Sequence, residues 1–198
     1  MQHDDGARPA TTRRRDAAAT KAAILQSARR LFVEHGYDGA GVREIAGAVG
    51  VDPRLIGRYF GSKEQLFAEV VALAYQKTLM MTPELNADAA RALLLESDES
   101  ALEGLLLTLR SATNPRAVEI MRDGIERNYQ QLLADALPGE RTAGRAALLV
   151  AICSGVLLTR LVLGNTQLNQ PEAEELIPLL HRALDAVAVA PGASADRG

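Results

Sequence analysis

Two arginines and a lysine lie within ten residues of each other in the first third of the chain. Arg54 and Arg58 are four residues apart, Tyr59 follows directly, and Lys63 comes next. A guanidinium group donates paired hydrogen bonds to phosphate or to a guanine edge, and ammonium and phenol groups also donate to phosphate. These residue types at this spacing favour non-covalent recognition of a polyanion.

The distribution of charge agrees with that chemistry. The stretch from Arg8 to Lys63 contains eleven Lys or Arg and five Asp or Glu, whereas the other residues contain eleven basic and twenty acidic ones. A surplus of six positive charges therefore precedes a body with a surplus of nine negative charges, within a whole-chain charge of −3. Such asymmetry is typical of a protein with one end on a polyanion, although a basic solvated face has the same composition.

Catalytic chemistry lacks a comparable cluster. The three histidines are scattered at His3, His35 and His181, and the single cysteine, Cys153, lies in an apolar segment. The sequence contains neither a metal-ligand spacing nor a glycine-rich phosphate loop. We therefore predict that the protein is not an enzyme, that it uses no metal or cofactor, and that Cys153 is a buried small hydrophobic residue.

The basic cluster lies on the second of two short predicted helices. Residues 42–49 have apolar residues at helical spacing until Gly50, which tolerates the left-handed backbone of a tight turn. Asp52 can cap the following helix, with Pro53 at its first position. Two ordinary packed helices are the alternative. The caps, the glycine and the apolar spacing together favour a helix-turn-helix, whose second helix enters the major groove of DNA.

These segments also carry a family resemblance. Residues 42–67, VREIAGAVGVDPRLIGRYFGSKEQLF, resemble the DNA-binding signature of the TetR family of transcriptional regulators. Residues 22–39, AAILQSARRLFVEHGYDG, resemble the first helix of that family and its glycine-aromatic ending. The resemblance implies a three-helix head, a helical ligand-binding body and a homodimer formed mainly by the last two helices.

Roles for individual residues follow from the chemistry and from this resemblance. Arg54 can bind guanine O6 and N7, and Leu55 can contact a thymine methyl. Gly57 stands where the family usually has an aromatic residue, so one side-chain contact is missing and close approach of the backbone is possible. The predicted base contacts are Arg54, Leu55, Gly57 and Arg43, and the predicted phosphate contacts are Arg58, Tyr59 and Lys63.

The start of the second helix departs from the family pattern. Ala40, Gly41 and Val42 occupy a stretch where the family often has Thr or Ser. Hydroxyl groups there would cap the helix and contact phosphate. We therefore expect a weaker cap at this position.

The abundance of Ala and Leu and the scarcity of β-branched runs predict an all-α fold. We expect Asp16 to cap the first helix, Gly36 to end it, and Ser62 to cap the fourth with Gln65. Body helices are predicted at about 86–96, 99–112, 115–136, 141–164 and 172–188. The predicted domains are a flexible basic arm (1–15), a helix-turn-helix domain (16–62), a helical ligand-binding and dimerisation domain (63–189) and a disordered tail (190–198).

Two further sites are predicted in the body. Wide apolar faces on the last two helices favour a dimer interface, with an internal core as the alternative. Adaptable apolar side chains on the middle helices favour an effector pocket, although plain core packing explains each of them as well. The predicted interface residues are Leu149, Ile152, Val156, Leu176, Leu180 and Leu184, and the predicted pocket residues are Tyr75, Met80, Met121, Ile125 and Tyr129.

The functional prediction is a TetR-like repressor that a small-molecule effector of unknown identity releases from a palindromic operator. The alternative is a helical ligand- or partner-binding protein with a degenerate DNA-binding head. The apolar stretch 146–163 is interrupted by Ser154, Thr159 and Arg160, so we expect it to fall short of a membrane span. Residues 1–12 lack the apolar core of a signal peptide, and the expected location is the cytoplasm.

Overall fold

The computed structural model describes residues 10–75, 81–96, 99–169 and 173–189, which form helices and turns without a β-strand. The all-α prediction is confirmed. When the π-helical segments are counted with the α-helices that they adjoin, both ends of each predicted body helix lie within two residues of the observed ends. A π-helical segment, Glu126–Gln130, joins α7 to α8, and another, Leu158–Val162, extends α9. The helices are α1 (Ala10–Gly39), α2 (Val42–Gly47), α3 (Arg54–Phe60), α4 (Lys63–Ala74), α5 (Asn86–Leu95), α6 (Glu99–Ser111), α7 (Pro115–Ile125), α8 (Gln131–Ala136), α9 (Thr142–Leu157) and α10 (Ala173–Ala188).

Helix α1 begins earlier than predicted. Residues 10–15 are helical, so α1 begins before the boundary predicted at residue 16, and Asp16 lies inside the helix instead of capping it. The Asp16 carbonyl accepts a hydrogen bond from Thr20 Oγ1 at 2.8 Å. Alanine and arginine are strong helix formers, which explains why the helix continues through this segment. Residues 1–9 and the predicted tail 190–198 lie outside the described residues.

Gly36 breaks α1 as predicted. Its backbone has φ 71° and ψ −178°, and a Cβ atom there would collide with the carbonyl group of Arg110 on α6. Glycine is therefore required both by the conformation and by the close approach of α6. Beyond this kink, Tyr37 packs edge-on against Phe67 of α4 with ring centroids 4.9 Å apart.

The described residues contain two hydrophobic cores. The first contains buried residues of α1–α4 together with residues of α6 and α7, such as Leu107 and Met121. The second lies in the body and contains residues of α5, α9 and α10 and of the helices around Tyr129. Because the first core continues through α4 into α6 and α7, the boundary predicted between residues 62 and 63 does not separate two cores.

Arg145 of α9 and Arg160 of the π-helical segment that extends it bind the ends of neighbouring helices. Arg145 donates hydrogen bonds to the carbonyl oxygens of Val187, at 2.7 Å, and Ala188, at the end of α10. Arg160 is buried and donates to the carbonyl oxygens of Leu93 and Glu96, at 2.9 and 2.8 Å, at the end of α5. A cation at a helix C-terminus is favourable because it meets unpaired carbonyl groups. These contacts fix α10 and α5 against α9.

The helix Thr142–Val162 is long and apolar enough to cross a membrane by length and composition alone, a criterion that core helices of soluble proteins also meet. Only 22% of its most apolar stretch is buried in the chain. Leu148 on this helix is 51% exposed, and Leu179 on α10 is 53% exposed. Much of the apolar surface of α9 and α10 therefore faces outward.

Candidate nucleic-acid interface

The turn between α2 and α3 has the predicted helix-turn-helix geometry. Gly50 has φ 70°, and the amide of Val51 donates to the Ala46 carbonyl at 3.0 Å. Asp52 Oδ1 accepts a hydrogen bond from the Arg54 amide at 2.8 Å, so its side chain caps the start of α3, although Pro53 occupies the cap position and α3 begins at Arg54, one residue later than predicted. The caps and the left-handed glycine fix the direction in which α3 leaves the turn.

Helix α2 begins without a side-chain cap, as its sequence predicts. Gly41 occupies the cap position, and the Glu44 carboxylate accepts only a long hydrogen bond, 3.5 Å, from the Gly41 amide. The helix is held instead by its neighbour, since Ser27 Oγ of α1 donates to the Ile45 carbonyl at 3.1 Å. Arg43 is exposed on α2.

Helix α3 separates a buried face from an exposed one. Ile56 and Phe60 are buried in the first core, whereas Arg54, Gly57 and Arg58 are exposed. Residues at i, i+3 and i+4 share one side of a helix, so these three residues form a continuous outward surface, here called the recognition face. Arg54 and Arg58 are therefore neighbours one turn apart, and the bare backbone at Gly57 lies beside them.

Leu55 and Tyr59 occupy the flanks of α3. Both are half-buried and pack against the first core. Part of each side chain therefore supports the helix, and only the remainder is available to a ligand. Their base and phosphate contacts stay predictions.

Lys21 fixes the end of α3, which the sequence analysis missed. Its Nζ lies 4.9 Å from the centroid of the Phe60 ring and 3.1 Å from Glu69 Oε1 of α4. A cation over an aromatic face is attracted by the ring quadrupole. Lys21 therefore joins α1, α3 and α4 at one point, through residues that are far apart in sequence.

Lys63 is held beside the aromatic ring that follows the α1 kink. Its Nζ lies 4.5 Å from the centroid of Tyr37, and burial lowers the pKa of Lys63. Burial, together with the charge of Glu64, raises the pKa of Tyr37 to about 12, so the phenol stays neutral. Lys63 is thus pre-positioned at the start of α4, and its phosphate contact stays a prediction.

The end of α6 and the turn that follows it form hydrogen bonds with the head just beyond Gly36. The Tyr37 amide donates to Ser111 Oγ at 3.1 Å, and Asn114 Nδ2 donates to Asp38 Oδ1 at 2.7 Å. We call these four residues the α6–α7 latch. Next to it, residues of α1, of α6 and of the turn after α2 line a cleft of about 890 Å³. The ion pair between Arg29 and Glu103 joins α1 to α6 there.

Comparison with known proteins identifies this arrangement. The profile of the bacterial regulatory proteins of the tetR family matches residues 24–70, and that of the tetracyclin repressor-like C-terminal domain matches residues 84–187, which is more than half of the chain. The chain belongs to the TetR family. Its head and its body therefore both follow that family, including the part of the body whose sequence suggested only helices.

Similar proteins include bacterial repressors. The HTH-type transcriptional repressor AcnR of Corynebacterium efficiens is 47% identical over 58 residues, 29% of this chain and 29% of that protein. The HTH-type transcriptional repressor Rv3405c of Mycobacterium tuberculosis is 39% identical over 85 residues, 41% of this chain and 45% of that protein. The chain thus matches less than half the length of each of these two relatives.

Solved structures of the same fold cover most of the chain. The multidrug binding protein EbrR, solved with ethidium, superposes with a TM-score of 0.60 over 86% of this chain and 99% of its own, at 21% identity. NalD of Pseudomonas aeruginosa superposes with a TM-score of 0.58 over 89% of this chain and 100% of its own, at 19% identity. These similarities establish the fold of the 86–89% of this TetR-family chain that they cover.

The predicted pocket residues of this TetR-family body do not form one group. Met121 belongs to the first core and Tyr129 to the second, Ile125 is half-buried, and Met80 lies outside the described residues. Tyr75 packs against both cores and its Oη lies 2.7 Å from Thr108 Oγ1. Burial raises the pKa values of both tyrosines. The described cleft lies between α1 and α6 instead of among these residues.

The predicted dimer residues need a correction. Leu149 and Leu184 are fully buried in the second core, so their side chains are not available to a second copy. Leu176 is half-buried, and Ile152, Val156 and Leu180 are half-buried against that core. The outward residues are instead Leu148 and Leu179. Helix α9 is apolar on nearly every side, so periodicity alone could not show which side faces the core.

Proposed function

We propose that this TetR-family chain is a cytoplasmic, homodimeric transcriptional repressor and not an enzyme. It binds a palindromic operator through α3 and leaves it when a small-molecule effector binds the body. The observation that carries the proposal is the recognition face, in which Arg54 and Arg58 project from a helix anchored at one end by Asp52 and at the other by Lys21.

DNA recognition divides between base edges and phosphates. Arg54 is near the start of α3, where a recognition helix contacts bases, and its paired donors match guanine O6 and N7. Arg58 lies one turn further along the exposed side and binds phosphate. Arg43 on α2 reaches the same groove. Leu55, Tyr59 and Lys63 complete the interface from the half-buried flanks.

Dimerisation uses the outward surface of α9 and α10. Leu148, Ala151 and Gly155 are exposed at helical spacing on α9, and Leu179 is exposed on α10. We call these four residues the outward face. Exposed contiguous apolar surface of this kind marks a protein–protein contact, and a second copy covers it symmetrically. Two heads then reach half-sites about 34–36 Å apart, one turn of DNA.

Effector release requires a connection between the body and the head. Tyr75 touches both hydrophobic cores, and the α6–α7 latch joins α6 to the end of α1. An effector that packs near Tyr75 and prefers a different position of α6 therefore also favours a different position of the head. The ligand shifts the equilibrium by its differential affinity for the two positions.

Selection of DNA from a random pool by the purified protein tests this function. We expect a palindromic motif, and we expect affinity to fall steeply as salt rises because phosphate contacts release counterions. Arg54→Ala should relax the preference at one base pair in each half-site, whereas Arg91→Ala on the exposed side of α5 should leave the motif unchanged. If no sequence is enriched, the chain is instead a partner- or ligand-binding protein with a degenerate head, as the hydroxyl-free start of α2 also allows.

A further inference from the structure

Gly57 has no explanation inside the folded chain. It is the fourth residue of α3, it is exposed, and it is absent from the glycines with positive φ. A Cβ atom built on it would meet no atom within 4 Å. Any residue would fit there as far as this chain is concerned, and glycine is a poor helix former compared with alanine.

The cost of glycine is high in this particular helix. Helix α3 has only seven residues, and it must present Arg54 and Arg58 in fixed directions. A glycine at its centre increases the freedom of the unfolded chain and weakens the helix. By contrast, Gly36 and Gly61 have left-handed backbones that explain their presence. Nothing inside the chain requires glycine at position 57, as is also true of Gly144 on α9, and Gly57 differs in lying on the recognition face.

We infer that Gly57 is a close-approach position, at which the bare backbone of the recognition helix lies against the DNA. This inference rests on the proposed function and adds a specificity-determining residue to it. The guanidinium groups of Arg54 and Arg58 can then reach the DNA beside the contact, because no side chain at position 57 holds the helix away. Shape at the centre of the half-site is thereby sensed through the distance of the helix from the DNA.

One substitution distinguishes an effect on stability from an effect on DNA binding, because it should raise stability and lower affinity. Gly57→Ala should raise the midpoint of thermal unfolding by about 2–4 °C, because alanine favours the helix. The same variant should lose at least about tenfold in affinity for a palindromic duplex selected by the wild-type protein, and the bulkier Gly57→Leu should lose more. Neither variant changes a charge, so the dependence of affinity on salt should keep its slope.

Gly144→Ala is the matched control. Gly144 is exposed near the start of α9, where a Cβ would likewise meet nothing within 4 Å, and it is far in sequence from α3. Gly144 lies one turn before Leu148, on the side of α9 that carries the outward face, so the mass of the variant in solution is measured as well. A variant that stays a dimer should become more stable without a change in operator affinity.

Three outcomes have distinct meanings. If the wild-type protein selects no DNA, the proposed function fails. If the wild-type protein binds and Gly57→Ala binds equally well, Gly57 is not a close-approach position. If Gly57→Ala binds weakly with a shallower salt slope, the substitution acts by displacing the arginines, and the inference is also wrong.

Discussion

The recognition face of α3 and the outward face of α9 and α10 are both exposed surfaces that contain a glycine without an internal role. Cβ atoms at Gly57 and Gly155 would both meet nothing within 4 Å. Arg54 and Arg58 lie beside the first glycine, whereas Leu148 and Ala151 precede the second on the same side of α9. The two surfaces therefore suit different partners: the charged one suits a polyanion, and the apolar one suits a second copy.

Breaking the outward face should have the largest effect on DNA binding. In the double variant Leu148→Glu with Leu179→Glu, two carboxylates would be buried between copies, so the protein should become a monomer. Loss of the second head should lower operator affinity by about 100- to 10,000-fold. Mass measurement in solution and a binding titration check the two effects.

Leu109→Glu is the control for that double variant. Leu109 is 41% exposed on α6, away from the outward face. This variant should remain a dimer and bind DNA normally. A double variant that stays dimeric would show that another surface joins the two copies.

Two neighbouring leucines sharpen the distinction between core and surface on α9. Leu149 is fully buried, so Leu149→Ala should lower the free energy of unfolding by about 2–5 kcal/mol. Leu148→Ala should instead weaken the dimer and change the folding of each chain little. Denaturant unfolding at several protein concentrations separates the two effects, because only the dimer contribution depends on concentration. If both variants lost similar amounts of unfolding free energy, Leu149 would not be the core residue and Leu148 the surface residue of this pair.

Leu148 and Leu149 also show which features of the fold could be predicted from the sequence. Local features were predictable: the caps at Asp52 and Ser62 and the break at Gly36 depend on a few adjacent residues. The side of α9 that faces the core was not, because an apolar residue has the same local signature in a core and in an interface. Pairing between distant residues has no local signature at all.

The candidate nucleic-acid interface likewise contains residues that were predictable from the sequence and residues that were not. The exposed residues Arg43, Arg54 and Arg58 were predictable from residue type and helix position. The supports were missed, since Lys21 meets Phe60 only after the chain has folded. The same is true of Asn114, which lies 76 positions from Asp38.

A smaller effect is expected on the recognition face itself. Arg58→Ala should lower operator affinity by about tenfold and reduce the slope of affinity against salt by about one, because one phosphate contact is lost. The preferred sequence should not change, in contrast to Arg54→Ala. Fluorescence anisotropy at four salt concentrations measures both quantities. An unchanged slope would mean that Arg58 does not contact phosphate.

The smallest effect concerns the α6–α7 latch, through which we propose that the body acts on the recognition face. Asn114 has two roles: its Oδ1 caps α7 by accepting from the Ala117 amide at 3.0 Å, and its Nδ2 binds Asp38. Asn114→Asp keeps the cap acceptor but places a second carboxylate beside Asp38. Because these groups are exposed, we expect a loss of only about 0.5–1 kcal/mol of stability.

The informative measurement for Asn114→Asp is operator affinity at two salt concentrations. Repulsion from Asp38 should loosen the head and weaken binding by about threefold at low salt, and the difference from wild type should shrink at high salt, where exposed charges are screened. Asn114→Ser, which keeps a capping oxygen and adds no charge, should lack this salt-dependent difference. If both variants have the same operator affinity at both salt concentrations, Asn114 serves only to cap α7. The body would then influence the recognition face only through the first hydrophobic core, which contains residues of α1–α4, α6 and α7.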